Sequence, residues 1–291
     1  MDVYNGSFKG LKKCNFIFKH LSTSPNASAE RIESMFAAQE RCALNTDFSV
    51  DVIDINNNVT KTKTLDEHIL EFCDHADKCV INKYKIIARK PLRINDLWED
   101  DPIGSGGPKI VDLENLPEAE KQEVAKIFEP FKDVIHPHHI FNIFSKKEIK
   151  AIKKKYQNNQ LFKAELNKRK NRSESIGEDF KLAQYQEIVW LDISFKLKNW
   201  AINKGYDAFV YTNNKEGNGA DTYIPILPNQ IIESNEYFTF NREQYLSIAP
   251  QSLQNIIIER RNKYRVGINT ATEEYGLMWA ENSPLSFWKL T

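Results

Sequence analysis

The sequence predicts an α+β fold: a mixed or antiparallel β core with flanking helices and a helical insertion. Three observations carry this. Short apolar runs bounded by Gly, Asn and Pro recur on either side of residues 111–184, at strand length rather than helix length. Amphipathic stretches with 3.6-residue spacing lie among them. Between 111 and 184 the character changes to charged, helical sequence.

In chain order, Val3-Tyr4 and residues 15–21 read as short strands. Ser24 and Pro25 suit an N-cap and a first helical turn. Ile32, Met35 and Phe36 recur at helical spacing, which carries that helix to about Ala43. Residues 48–55 alternate and end in Asn56-Asn57-Asn58, a strand and its turn. Residues 65–75 read as a helix, 80–92 as one strand and 100–108 as a linker. Leu116-Pro117-Glu118 opens the charged helical region. Residues 188–203 form an apolar-periodic helix that Gly205 can cap. Ala208, Phe209, Val210 and Tyr211 make a buried strand, and 222–227 a second one ended by Pro228. The remainder holds Tyr237-Phe238-Thr239-Phe240, a helix over 251–264 and a tail whose aromatics Trp279, Phe287 and Trp288 suit packing.

Composition sets limits on function. Forty basic and forty acidic residues cancel, so no net charge points to nucleic acid or a membrane surface. The N-terminus lacks a cationic and apolar leader, and no run of about eighteen apolar residues occurs. A soluble, cytosolic protein is expected. Cys14, Cys42, Cys73 and Cys79 are dispersed, as for reduced thiols. His136, His138 and His139 lack a partner carboxylate or thiol set, so no metal is expected. Lysines and arginines crowd residues 121–172, including Lys153-Lys154-Lys155, and read either as a solvated helix face or as a docking surface for an acidic protein.

The loop TNNKEGNGAD at 212–221 places Glu216 and Asp221 between two strands, with glycines that permit left-handed backbone and close ligand approach. Around it, GYDAFVY at 205–211 and DTYIPILPNQI at 221–231 resemble the C-terminal core of the ADP-ribosyltransferase superfamily, in its phage- and effector-associated branch. Tyr206, Asp207, Tyr211, Tyr223, Ile224, Pro228, Gln230 and Ile231 fall on that pattern. VYNGS at 3–7, KHLSTSPNASA at 19–29 and KIIARKPLRINDL at 85–97 are similar to its earlier segments, in the same order.

The resemblance implies a split mixed or antiparallel β core and transfer of ADP-ribose from NAD to a protein, with release of nicotinamide. It points to a bacterial effector or toxin acting inside a cell, either the producer's or one that receives it without a Sec signal. Cleaving the glycosidic bond develops oxocarbenium character, which a nearby carboxylate stabilises. Asp221 is the first candidate and Glu216 the second, because the position where relatives carry glutamate is Thr222 here. Alternation along a strand points Asp221 away from that position unless a bulge re-aims it. The resemblance assigns NAD binding to Tyr4, Asn5, Gly6, Ser22, Thr23, Ser24, Phe36 and Tyr223, with Asn5 where histidine or arginine is usual. It divides the chain into a first half of the core (1–110), the basic helical insertion (111–184), a second half with the catalytic loop (185–234) and an extension (235–291). The insertion would dock the target. An NAD glycohydrolase and a non-catalytic, partner-binding core are the alternatives.

Overall fold

The computed structural model describes residues 1–10, 17–39, 42–45, 47–54, 58–95, 116–129, 145–175, 180–214, 216–264 and 284–291. Their order is β1 (Asp2–Phe8), β2 (Leu21–Ser22), α1 (Pro25–Gln39), β3 (Cys42–Leu44), β4 (Ser49–Ile53), β5 (Val59–Thr64), α2 (Leu65–Ala76), β6 (Cys79–Ile86) and β7 (Pro91–Arg93). Then come α3 (Glu118–Phe128), α4 (Lys146–Lys155), α5 (Gln160–Ser175), α6 (Phe180–Asn203), β8 (Ala208–Asn213), β9 (Ala220–Pro225), β10 (Ile231–Phe240), α7 (Arg242–Tyr264) and β11 (Trp288–Leu290). The class is mixed α and β with helices flanking a mixed sheet, compatible with α+β. The linker at 100–108, the histidines at 136–139, Cys14 and Trp279 lie outside the described residues.

Eight strands form one sheet in the order β11-β10-β6-β1-β2-β9-β8-β7, and β3-β4-β5 form a small second sheet. Only β7 and β8 run parallel among the described pairs. The large sheet is nearly two sheets. Seven residue pairs join β1 to β6, and six join β8 to β9, whereas β1 meets β2 at Tyr4↔Ser22 alone. Each half has its own large core. Phe72, Ile81, Tyr245 and Phe287 fill one under α1, α2 and α7. Phe209, Ile224, Phe128, Phe162, Phe195 and Leu197 fill the other, under α3 to α6. A third, small cluster of Val3, Leu21, Tyr84 and Ile86 lies at the seam.

Residues 80–92 form two strands, not one. β6 ends at Ile86 and the chain leaves its half of the sheet to enter the other as β7. The Asp207 carboxylate fixes this departure by accepting the backbone N–H groups of Arg89 (2.6 Å) and Lys90 (3.0 Å). Buried Gln230 completes the junction: its side-chain oxygen accepts the N–H of Ile226 and Leu227, and its amide donates to the carbonyls of Ile87 and Asp207. The motif residues Asp207 and Gln230 therefore hold the two halves in register. The first helix also stops short of Ala43, because Cys42 to Leu44 pair with β4. Gly205, at φ 79°, closes α6 as expected.

The helical unit is rigidly assembled. Ser145 and Glu148 form a capping box at the start of α4. Tyr156 stacks on Phe162 at 4.1 Å, and both rings meet Phe195 of α6. Asp192 of α6 is nearly buried, and burial alone would raise its pKa. Bonds from Lys196 and Lys155, at 2.7 and 3.0 Å, outweigh that and keep it ionised.

Candidate functional site at the seam of the sheet

Register places a polar row across the junction of the halves. Tyr4 faces Ser22, Ser22 faces Thr222 and Thr222 faces Tyr211, so the four side chains share one face of the sheet. Gly6 shares that face. A Cβ on it would lie 2.3 Å from the Ser28 carbonyl oxygen and 2.9 Å from Ile32. Helix α1 thus occupies the space over Gly6, and the glycine admits the helix. Tyr4 packs against one core and Tyr211 belongs to the other, which leaves Ser22 and Thr222 between them.

This row is buried and uncharged. Ser22, Thr222 and Tyr211 are 6, 2 and 4% exposed. The Ser22 hydroxyl accepts the Ser24 N–H at 3.1 Å, and the Tyr211 hydroxyl lies 2.9 Å from His20 Nδ1. Thr222 Oγ1 has no hydrogen-bond partner among the described residues, an arrangement that costs free energy unless something occupies it.

Asp221 lies on the opposite face. The β8–β9 register is regular from Ala208↔Pro225 to Asn213↔Ala220, so no bulge re-aims it. Arg93 of β7 grips its carboxylate with two bonds of 2.9 and 2.8 Å, and the Thr212 hydroxyl stands at 3.4 Å. The Arg93 bonds hold the Asp221 carboxyl below the usual carboxylate range. On the same face, burial and the Asp221 charge push the Tyr223 phenol up. Thr23 donates its N–H and hydroxyl to the Asp221 carbonyl oxygen at 2.8 and 3.0 Å. Asn5 also points to this face and donates to the His20 carbonyl oxygen at 3.2 Å.

Glu216 goes the other way. Its loop turns through Gly217, Asn218 and Gly219 at φ 74°, 53° and 83° and comes down on α1. The Gly217 N–H donates to the Glu30 carboxylate, and a Cβ on Gly217 would sit 2.6 Å from that of Ala27. The Glu216 carboxylate is 3.8 Å from Arg31 Nη1 and 3.4 Å from the Ser34 hydroxyl. Burial raises the pKa of Glu30, the Gly217 N–H opposes this and the Glu216 charge adds to it. Because α1 covers the face of Tyr4 and Gly6, Glu216 lies on the side of the buried row and Asp221 does not.

No family model, curated protein or solved structure matches this chain. The structure gathers Tyr4, Ser22 and Thr222 in one row and seats Glu216 on α1, on the same side of the sheet. It puts Asn5, Asp221 and Tyr223 on the reverse side. Phe36 stands apart, buried against Phe72, His68 and His75 with ring centroids 5.4 Å away. Arg93 and Glu30 escaped the sequence reading. Arg93 gives no local signal, since its partner is 128 residues away. For Glu30 a faint one exists: Ala27, Glu30, Arg31 and Ser34 form a small and polar stripe on a helix whose other stripe is Ile32, Met35 and Phe36.

Proposed function

We propose that the chain transfers ADP-ribose from NAD to a protein inside a cell. The observation that supports this best is the meeting of three remote segments, VYNGS, LSTS and ADTYI, in one buried row between two cores, with an acid-bearing loop folded over its side. A reaction of this kind breaks the bond between nicotinamide and the ribose. Nicotinamide leaves with the bonding electrons, the acceptor's lone pair closes on the ribose carbon and the acceptor's proton is released. The row's hydroxyls are neutral groups suited to ribose hydroxyls or a carboxamide, and a carboxylate beside them would stabilise the positive charge that develops. In this reading Glu216 is the better placed acid, with Arg31 and Ser34 orienting it.

One observation favours a second reading. Thr222 stands where an acid is expected, and Asp221 is already neutralised by Arg93, as suits a core that binds a partner without chemistry. Labelled NAD with cell lysate separates the readings when protein-bound label and free nicotinamide are both followed. Label on protein that vanishes in Glu216→Gln establishes the transferase, nicotinamide without label a glycohydrolase, and neither product the binding core.

A further inference from the structure

The strongest local departure from neutrality is on the helical unit. Of the 27 residues at 145–171, ten are Lys or Arg and two are Glu, in a chain that is neutral as a whole. Both acids are engaged within the unit: Glu148 caps α4 with Ser145, and buried Glu165 pairs with Lys168. Lys155 and Arg169 turn inward to Asp192 and Glu187. Of the five other lysines exposed on α4, three form an outward stripe. Lys147, Lys150 and Lys154 stand at i, i+3 and i+7, opposite buried Ile149, and rise through about 10 Å of helix. With Ala151, Lys153 and Gln157 they line a shallow recess of about 520 Å³.

We infer that this stripe docks an acidic amphipathic helix of a protein partner. A helix with Glu or Asp at the same i, i+3, i+7 spacing matches the stripe charge for charge. The small Ala151 lets the partner's backbone come close, and its methyl group gives the partner an apolar contact. The observations favour protein over nucleic acid: the stripe carries no Arg for bidentate phosphate contacts and no aromatic ring to stack on a base. The capping box and the Tyr156–Phe162–Phe195 cluster hold the stripe in place before binding, which lowers the ordering cost. The inference rests on the reading of a protein target, but its test needs no NAD.

The test is fluorescence anisotropy of the full chain with three labelled probes. These are an Ala-based helical peptide with Glu at i, i+3 and i+7, a peptide of the same composition with Glu spread around the helix, and a short DNA duplex. The first is expected to bind most tightly and to weaken as salt rises. Lys147→Gln/Lys150→Gln/Lys154→Gln is expected to weaken it tenfold or more. Lys78→Gln/Lys85→Gln/Lys289→Gln, which removes the same charge from exposed sites outside the helical unit, is expected to leave it unchanged. No binding of the first peptide, equal loss in both variants, or equal or tighter binding of the second peptide or the duplex would overturn the inference. A failure of NAD chemistry in the lysate experiment leaves these outcomes unaffected.

Discussion

At the scale of single residues, the two candidate acids separate by the side of the sheet they occupy. Asp221 is bound by Arg93 on one side, and Glu216 leans on α1 at the other, the side that carries Ser22 and Thr222. On the proposed reaction, Glu216→Gln should lower nicotinamide release by about 10²-fold, whereas Asp221→Asn should leave most of it. The reverse order would remove Glu216 from the mechanism. Asp221→Asn also breaks an exposed ion pair, worth at most about 1 kcal/mol. Gly6 makes a structural prediction. Gly6→Ala drives a methyl group into the Ser28 carbonyl and Ile32, so urea denaturation should show a loss of about 1–3 kcal/mol. Unchanged stability would mean that α1 is not seated there. Alternation along β9 made the opposed directions of Asp221 and Thr222 readable from sequence. Arg93 was not readable, because nothing local marks a partner 128 residues distant.

At the scale of elements, α2 joins capping, packing and charge. Thr64 and Glu67 form its capping box, and Ile69, Phe72 and Cys73 pack inward. His68 packs with them, 7% exposed and against Phe36. Burial, with the Lys63 charge nearby, depresses its pKa to about 4 from an ordinary 6.5. The folded chain therefore resists a proton that the unfolded chain accepts. Stability from this residue is full above pH 6.5 and falls as pH drops toward 4, by up to about 3 kcal/mol. His68→Leu should gain on wild type by about that amount between pH 7 and 4 in urea titrations, and a constant difference across that range would refute a neutral buried imidazole. Helix α2 was legible in sequence because its apolar period is strong. The break within 80–92 is not legible in sequence, because Lys85 to Leu92 contain no breaker before Pro91. The groups that fix the break, Asp207 and Gln230, lie more than a hundred residues along the chain.

At the scale of the whole molecule, the two halves of the sheet meet edge to edge at a single residue pair between β1 and β2, backed by the small cluster of Val3, Leu21, Tyr84 and Ile86. Such a junction should let the halves open as separate cooperative units. Phe209→Ala, in the core of β8, β9 and α6, should speed hydrogen exchange there by the equivalent of about 3–5 kcal/mol. The slow amides of β1 and β6 should change far less. An equal effect on both would show one cooperative unit. The α+β class was visible in the sequence because strand-length and helix-length apolar runs are distinct. The near division of the sheet is not legible from local pattern, since which strands meet edge to edge is decided by contacts far apart in the chain.

The pairing of β6 with β10 also has a consequence for synthesis. Ile86 pairs with Ile231, which follows it by 145 residues. On a ribosome, β6 can join β1 at once, but its other edge must wait for roughly 7 to 30 s of further elongation. During that wait the nascent chain presents Cys79, Val80, Ile81 and Tyr84 beside an unsatisfied strand edge. Until β10 arrives, that open edge is an aggregation risk for the nascent chain, which a chaperone would shield.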